Sequence, residues 1–333
     1  MKNLSSCLLA VLLSVALSVL FGAILVPLLA KLKFGQNILK YVKEHDCKKG
    51  TPTMGGVIFL LSSFLVVFIV GKGDFYLAVV CMTVGAGYAA VGMIDDGIKI
   101  AKKRNEGLDP LQKTLFETAI AVVIALFCCK RGLTRIFLPF SGSTADLGLW
   151  FFPLCILVFL ATTNSVNLTD GLDGLAAGVC YLYFAFLGVT ILFLLSRSPE
   201  TFVSEREYEN LALLCFSLVG GLVGYLLFNT SKASVFMGDT GSLALGGLVA
   251  ATSIVSGNLL FIPVVGIMFV CSSLSVILQV LHFRRTGKRI FLMAPLHHHF
   301  QHLGYSESKI AFGYKLVTFV AGAIFLLITL AEG

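Results

Sequence analysis

The sequence is poor in charged residues: 13% of its 333 residues are Asp, Glu, Lys or Arg, whereas 57% are hydrophobic. Soluble domains contain about 25% charged residues, so this composition excludes a soluble globular protein. The nine cysteines form no C-x-x-C pair and lie mostly in apolar runs, which disfavours a metal-binding or disulfide framework. An internal repeat is also lacking, which disfavours the transporters that are built from such repeats.

Apolar runs long enough to cross a bilayer, about 20 residues, recur throughout the chain. They predict an all-α integral membrane protein with about ten transmembrane helices in a single polytopic domain, residues 1–333. The first run exceeds the roughly 7–15 apolar residues of a signal peptide, so we expect it to be retained as a span. The predicted spans are approximately 4–30, 54–70, 75–94, 114–129, 149–166, 171–195, 210–228, 240–256, 259–281 and 310–330.

Two departures from this helical pattern are predicted. Pro263 lies near the start of the ninth span, and proline inside a helix removes a hydrogen bond and introduces a kink. We therefore expect the ninth helix to be broken. Residues 131–150 alternate in polarity and are rich in turn formers, which predicts a small extracytoplasmic hairpin.

Ten spans divide the loops into two sets, and the basic residues are distributed unequally between them. One set carries 16 of the 25 Lys and Arg residues and the other carries 7. By the positive-inside rule the first set is cytoplasmic, so both termini are predicted to be extracytoplasmic. The same distribution attributes the net charge of +7 to membrane topology and not to nucleic-acid binding.

Several carboxylates lie on the predicted cytoplasmic side. Asp95 and Asp96 follow the third span directly and precede a basic loop. Adjacent carboxylates repel each other unless a cation or a proton lies between them, and Mg²⁺ typically binds one or two carboxylates together with substrate phosphate. The alternative is a solvated helix end beside a loop that sets the topology.

The segment NLTDGLDGL, residues 167–175, contains a second acidic pair. If a helix begins near Thr169, Asp170 and Asp173 lie one turn apart on one face, with Asn167 just before them. Acidic residues in a first helical turn interact favourably with the helix dipole, so a structural role stays open. Gly171 permits a ligand or a neighbouring backbone to approach closely.

Asp239 lies between two glycines, immediately before an apolar helix that includes Ser242. Backbone N–H groups at a helix N-terminus bind anions, and Asp239 is suited to hold a metal beside such an anion. Phe236 offers a stacking surface, although packing is the more common role of a single phenylalanine.

Three consecutive histidines, His297, His298 and His299, fall in another loop of the same set. The spacing does not match a zinc site, whereas imidazoles can donate hydrogen bonds to phosphate. Lys48 and Thr53 precede the second span, where the lysine either contacts phosphate or only orients the loop. Together these motifs predict a site for a metal and phosphate at one membrane face.

The motifs KKGTPTMGG, DD, NLTDGLDGL, VFMGDTGS and APLHHHF occur in the order found in one family. The sequence resembles the phospho-N-acetylmuramoyl-pentapeptide transferases nearly end to end. The resemblance implies a bacterial inner-membrane enzyme with a cytoplasmic active site and a requirement for Mg²⁺. It implies transfer of phospho-MurNAc-pentapeptide from UDP to undecaprenyl phosphate, with lipid I and UMP as products. A homodimer is implied by the resemblance alone.

The resemblance also assigns roles to residues of this sequence. Asp239 would be the principal metal ligand, with Asp95 and Asp96 beside it, and Lys113 and His298 would lie near the phosphates. Ser242, His297 and His299 are expected to bind substrate because of their positions in the motifs described above. The residues that would line the nucleoside-sugar pocket are Lys48, Thr53, Asn167, Asp170, Gly171, Asp173, Asn229, Phe236, Gln279 and His298.

Two other functions remain open at this point. A sibling transferase would use UDP-GlcNAc and share the aspartate motifs, although the uninterrupted histidine triplet favours the muramoyl-pentapeptide branch. An ion-coupled transporter would also hold carboxylates in the membrane, but transporter sites usually lie near the bilayer midplane. The sequence also leaves open whether transfer is direct or proceeds through a carboxylate nucleophile.

Overall fold

A computed structural model describes residues 2–32, 50–102, 106–197, 204–230 and 232–331. Helices account for most of this part of the chain, and one two-stranded antiparallel sheet is present. The elements are α1 (Lys2–Lys31), α2 (Gly56–Val70), α3 (Tyr76–Ala101), α4 (Pro110–Arg131), β1 (Arg135–Leu138), β2 (Ser143–Asp146), α5 (Phe151–Thr169), α6 (Leu175–Arg197), α7 (Glu205–Asn229), α8 (Gly238–Val255), α9 (Phe261–Val265), α10 (Ile267–Thr286), α11 (Leu296–His302) and α12 (Glu307–Ala331).

Within the described residues, nine helices are long and apolar enough to cross a membrane. The predicted second span is helix α2, which is apolar but has 15 residues and is therefore about 22 Å long at 1.5 Å per residue. A hydrocarbon core is about 30 Å thick. The class of an all-α integral membrane protein is confirmed, and the predicted number of ten spans is approximate.

Both predicted departures from simple spans are found. Strands β1 and β2 pair antiparallel with Arg135 opposite Asp146, and the Phe137 N–H donates to the Gly257 carbonyl at 2.8 Å. The hairpin is thereby attached to the segment that follows α8. The predicted ninth span consists of α9, which contains Pro263, and α10, and these two helices are separated at Gly266.

Helix α8 lies at the centre of the molecule, because nearly all of its side chains are buried against neighbouring helices. A helix that is apolar on all sides is expected to be buried in this way. Small residues bring the neighbours close: Gly92 of α3 contacts the backbone of Asp239, and Gly56 of α2 contacts Gly241. These contacts fix the N-terminus of α8 against α2 and α3.

Two expectations about helix boundaries are wrong. Helix α3 continues to Ala101, so Asp95 and Asp96 lie within it, 3% and 0% exposed, and not at a solvated end. Helix α5 continues to Thr169 and α6 begins only at Leu175. Asp170 and Asp173 therefore lie in the turn between two helices. One cause is the backbone of Gly174, which has a φ of +67° that a right-handed helix cannot contain.

Candidate active site

Asp239 lies in the first turn of α8, and its carboxylate accepts three side-chain hydrogen bonds. Its Oδ2 accepts hydrogen bonds from Lys99 Nζ at 3.1 Å and Lys113 Nζ at 2.9 Å. Its Oδ1 accepts from Asn167 Nδ2 at 2.9 Å, and the same amide nitrogen donates to Ser242 Oγ at 2.8 Å. Helices α3, α4, α5 and α8 therefore meet at this one side chain.

Asp96 holds the N-terminus of α8 from the side of α3. Its carboxylate accepts from the Asp239 N–H at 3.2 Å, the Thr240 N–H at 3.0 Å and the Thr240 hydroxyl at 2.8 Å. The first N–H groups of a helix have no partner within the helix, and a negative charge there is favoured by the helix dipole. Asp96 thus fixes the position from which Asp239 projects.

Asp95 completes a group of three carboxylates. Its Oδ2 forms an ion pair with Lys99 Nζ at 2.6 Å, and its Oδ1 accepts from the Leu108 N–H at 2.8 Å. Gly107 is required beside it, because a Cβ atom at that position would overlap the Asp95 carboxylate. The segment immediately before α4, with Gly107 and Leu108, therefore lies directly over this side chain.

The three carboxylates are arranged so that they could hold a metal ion. One oxygen each of Asp95, Asp96 and Asp239 lies within 4.8 Å of the others. Hard cations such as Mg²⁺ favour oxygen ligands of this type, so the donor set fits the predicted metal. Two ammonium groups already balance part of the negative charge.

The second acidic pair has different partners. Asp173 Oδ2 accepts from the Ala233 N–H at 3.1 Å. In the described part of the chain, neither a cation nor a hydrogen-bond donor contacts the Asp170 carboxylate. Burial, together with the nearby charges of Asp239 and Asp96, raises the pKa of Asp170 from 3.8 to about 8. This turn therefore lies within electrostatic reach of Asp239 but is not part of the ion-pair group.

The three histidines belong to α11, a short helix preceded by Pro295. His297 is buried against Gly171, whose missing side chain makes room for the imidazole. His298 Nδ1 shares a hydrogen bond of 2.7 Å with Gln301 Oε1, and His299 Nδ1 accepts from the Leu292 N–H at 3.2 Å. The three imidazoles thus have different partners, although the rings of His297 and His298 lie in contact, with centroids 4.3 Å apart.

Two predicted substrate-binding amides are engaged by the backbone. Asn229 accepts from the Gly174 N–H at 3.1 Å and donates to the Val235 carbonyl at 2.9 Å. Gln279 accepts from the N–H groups of Ile290 and Phe291, both at 3.0 Å. Both amides therefore hold loops at this end of the helices in place.

The remaining predicted residues are Phe236, which precedes α8, and Thr53 and Lys48, which precede α2. Phe236 is half-buried and its N–H donates to the Pro52 carbonyl at 2.8 Å. Thr53 is buried next to Gly238, so the segment before α2 packs against the segment before α8. Lys48 lies outside the described residues.

Three polar residues of this region were missed by the sequence analysis. Lys99 contacts both Asp95 and Asp239, and its spacing of four residues from Asp95 on a helix could have indicated a pair. Glu117 and Asn164 bond to each other across α4 and α5. A carboxylate within an apolar span was the available signal for Glu117.

Comparisons with known proteins agree with this architecture. Residues 76–257 match the model of glycosyl transferase family 4, which places this membrane protein in that class of transferases. Residues 48–60 match signature 1 of the phospho-N-acetylmuramoyl-pentapeptide-transferases. The segment with this signature leads into α2, the helix that packs against the N-terminus of α8.

Relatives with the same family name cover almost the whole chain. The phospho-N-acetylmuramoyl-pentapeptide-transferase of Clostridium perfringens strain SM101 is 42% identical over 93% of this chain and 93% of its own length. That of Caldanaerobacter subterraneus is 42% identical, with 94% and 95% covered, and that of Thermoanaerobacter sp. strain X514 is 39% identical, with 96% and 97% covered. The chain belongs to the phospho-N-acetylmuramoyl-pentapeptide-transferase family and is an enzyme of this type.

Proposed function

We propose that this enzyme transfers phospho-MurNAc-pentapeptide from its UDP carrier to undecaprenyl phosphate, releasing UMP and forming lipid I for peptidoglycan synthesis. The observation that carries the proposal is the bonding of Asp239, which two lysines and one asparagine hold at the N-terminus of a buried helix. The names of the relatives support the identity of the sugar-peptide substrate.

The reaction requires one phosphorus–oxygen bond to form as another breaks. An oxygen of the lipid phosphate attacks the sugar-linked phosphorus of the diphosphate, and the bond from that phosphorus to the UMP oxygen breaks. Phosphoryl transfer depends mainly on positioning and on neutralising the charge of the oxygens. The Lys99 and Lys113 ammonium groups supply positive charge beside Asp239, and in this proposal Asp95 would accept a proton from the lipid phosphate.

Asp239, Asp95 and Asp96 would hold a Mg²⁺ ion, because their oxygens converge within 4.8 Å. When bound, the ion would neutralise negative charge on the diphosphate and orient it. Since Asp96 is engaged by the N-terminus of α8, its main contribution in this proposal is to position Asp239. In this proposal Asp95 and Asp239 would be the main ligands of the ion.

The remaining motif positions would form the substrate pocket around this centre. The turn between α5 and α6, the segment before α8 and helix α11 lie at the same end of the spans as Asp239, because successive helices run in alternating directions. The loops of this set carry 16 of the 25 Lys and Arg residues, which supports a cytoplasmic position for that end, and family membership supports the inner membrane. A homodimer is part of this proposal through family membership alone.

The test is release of UMP by the purified full chain in detergent, with UDP-MurNAc-pentapeptide and undecaprenyl phosphate. We expect release to require both the lipid and Mg²⁺, and to fall at least about 1,000-fold in Asp239→Asn, since preorganised charge of this kind contributes several kcal/mol. Asp146→Asn, in the exposed hairpin, is the matched control and should retain full activity.

Release from UDP-GlcNAc but not from the pentapeptide nucleotide would overturn the substrate assignment in favour of the sibling transferases. Release that is unaffected by chelation of Mg²⁺, or by Asp239→Asn, would overturn the assignment of the metal centre.

A further inference from the structure

Glu117 is an ionisable residue inside a membrane-spanning helix that the proposed reaction does not use. It lies in α4, one helical turn after Lys113, and is 0% exposed. A charged side chain near the centre of a membrane helix costs about 2.5–3.5 kcal/mol on insertion scales. A carboxylate in this environment therefore calls for a partner or a function.

One oxygen of the Glu117 carboxylate is bonded and the other is not. Oε2 accepts from Asn164 Nδ2 at 2.8 Å. The Thr163 hydroxyl lies nearby but donates to the Phe159 carbonyl at 2.8 Å. Among the described residues, the buried Oε1 has no hydrogen-bond partner. An unsatisfied buried acceptor costs about 1–3 kcal/mol, more when it is charged.

Lys113, one helical turn before Glu117, binds Asp239 Oδ2, an oxygen that a metal ion would also use. Lys113 and Lys99 both bind Asp239 Oδ2, and Asn167 binds the other oxygen. A divalent cation that takes Asp239 as a ligand must compete with these ammonium groups. Residues four apart on a helix are neighbours, so Glu117 lies on the same side of α4 as Lys113 and within reach of its flexible side chain.

We propose that Glu117 is a positioning residue that provides the Lys113 ammonium group with a second acceptor. Lys113 bonds to Asp239 in the structure, and Glu117 Oε1 receives it when a divalent cation binds Asp239. Glu117 thereby lowers the free-energy cost of releasing Asp239 to the cation. This inference rests on the proposed metal centre and goes beyond it by naming how the lysine is displaced.

The experiment measures binding of Mn²⁺ to the purified full chain in detergent by electron paramagnetic resonance, without substrate. Glu117→Gln keeps the shape of the side chain and its contact with Asn164 but removes the charge, and we expect it to bind Mn²⁺ about tenfold more weakly. Lys113→Gln removes the competing ammonium group, and we expect tighter binding than in the wild type. Glu205→Gln, at the exposed start of α7, is the control and should be unchanged.

The double variant Glu117→Gln/Lys113→Gln distinguishes a role of Glu117 through Lys113 from a direct electrostatic effect of Glu117 on the cation. If Glu117 acts through Lys113, the double variant binds Mn²⁺ as tightly as Lys113→Gln alone. If it binds about tenfold more weakly than Lys113→Gln, Glu117 acts directly on the cation and the inference is overturned. An unchanged or weaker affinity in Lys113→Gln overturns it as well, even if Glu117→Gln does not fold.

Failure of the wild type to bind Mn²⁺ is a separate result, because it would reject the proposed metal centre itself. Wild-type binding with Glu117→Gln within twofold of it would reject only the role of Glu117.

Discussion

The molecule contains two pairs of neighbouring aspartates at the same end of its helices, and their surroundings differ. Asp95 and Asp96 lie within α3 and are bonded by Lys99, by the loop over α3 and by the first N–H groups of α8. Asp170 and Asp173 lie in a turn, where Asp173 binds one backbone N–H and no cation contacts Asp170 within the described residues.

The two pairs differ in how far their negative charge is balanced within the protein. The first pair is built into the contact between α3 and α8, so its charge is compensated before any ligand arrives. Within the described residues no cation contacts Asp170, and burial and nearby charges raise its pKa to about 8. A group such as the Asp170 carboxyl, with a perturbed pKa beside a cluster of three carboxylates, is suited to contact polar groups of a substrate.

The largest effect is expected for Asp96→Ala. This change leaves two N–H groups and one hydroxyl of the α8 N-terminus without their acceptor in a buried position. We expect a loss of about 2–4 kcal/mol in the free energy of unfolding and loss of UMP release, because Asp239 loses its support. Thermal unfolding in detergent measures the first and the UMP assay the second.

A matched control is available at the start of α4. Asp109 also caps a helix, accepting from the Leu111 N–H at 3.0 Å, but it is exposed. Replacement of an exposed cap by alanine costs about 1 kcal/mol. If Asp96→Ala unfolds at the same temperature as Asp109→Ala, the buried Asp96 carboxylate does not stabilise the N-terminus of α8 more than an exposed cap would.

The next largest effect is expected for Lys99→Met. Lys99 Nζ lies between Asp95 and Asp239, at 2.6 and 3.1 Å from their oxygens. Without Lys99 the Asp95 and Asp239 carboxylates repel each other. The phosphate that is transferred also loses a nearby positive charge. We expect kcat/KM for UMP release to fall about 100-fold, the scale of losing one electrostatic contact in a catalytic site.

Lys102→Met is the control, since this lysine lies one residue beyond the end of α3 and is exposed. A similar decrease in both variants would show that the general charge of the loop matters and not the bridge between Asp95 and Asp239.

The sequence predicted the helical class, the hairpin and the break in the ninth span because each depends on local composition. It failed where a boundary depends on tertiary contacts. The sixth span was expected to begin at about residue 171, and a helix start near Thr169 was considered. The positive φ of Gly174 and the packing of His297 against Gly171 decide otherwise.

Charged residues were predicted unevenly for a similar reason. Asp239 is marked by its glycines and by the family motif, whereas Lys99 lies beside other basic residues that indicate topology. Its role depends on the approach of α8 to α3, which hydropathy does not encode. Asp96 was assigned to metal binding, but only the structure reveals that it caps α8.

A smaller effect, on pH dependence, is expected for Asp170→Asn. Because the pKa of Asp170 is raised from 3.8 to about 8 in the folded protein, its ionisation opposes folding, and stability is lost as the pH rises from about 4 to about 8. Asparagine cannot ionise and so lacks this loss. We expect the melting temperature of the wild type to fall more than that of Asp170→Asn between pH 6 and pH 9, in the presence of a chelator.

Asp146→Asn serves as the control here, because Asp146 is exposed in the hairpin and accepts hydrogen bonds from Thr134 and the Gly148 N–H. It should follow the wild type between pH 6 and pH 9. Parallel melting curves for the wild type and Asp170→Asn would mean that Asp170 is compensated like the first pair.

The smallest effect is expected for Gly171→Ala, which tests whether the second pair is positioned by packing. A Cβ atom at this position would overlap the His297 imidazole, so α11 must shift slightly to accept it. Shifts of this kind cost about 1–3 kcal/mol of stability in well-packed interiors, and we expect a three- to tenfold increase in KM for the sugar nucleotide with a smaller change in kcat.

Gly313→Ala in α12 is the control, because it has open space around its added Cβ atom and should leave KM unchanged. An unchanged KM in Gly171→Ala would show that the turn tolerates movement of His297, and the contrast with the rigidly bonded Asp95–Asp96 pair would then be sharper than proposed.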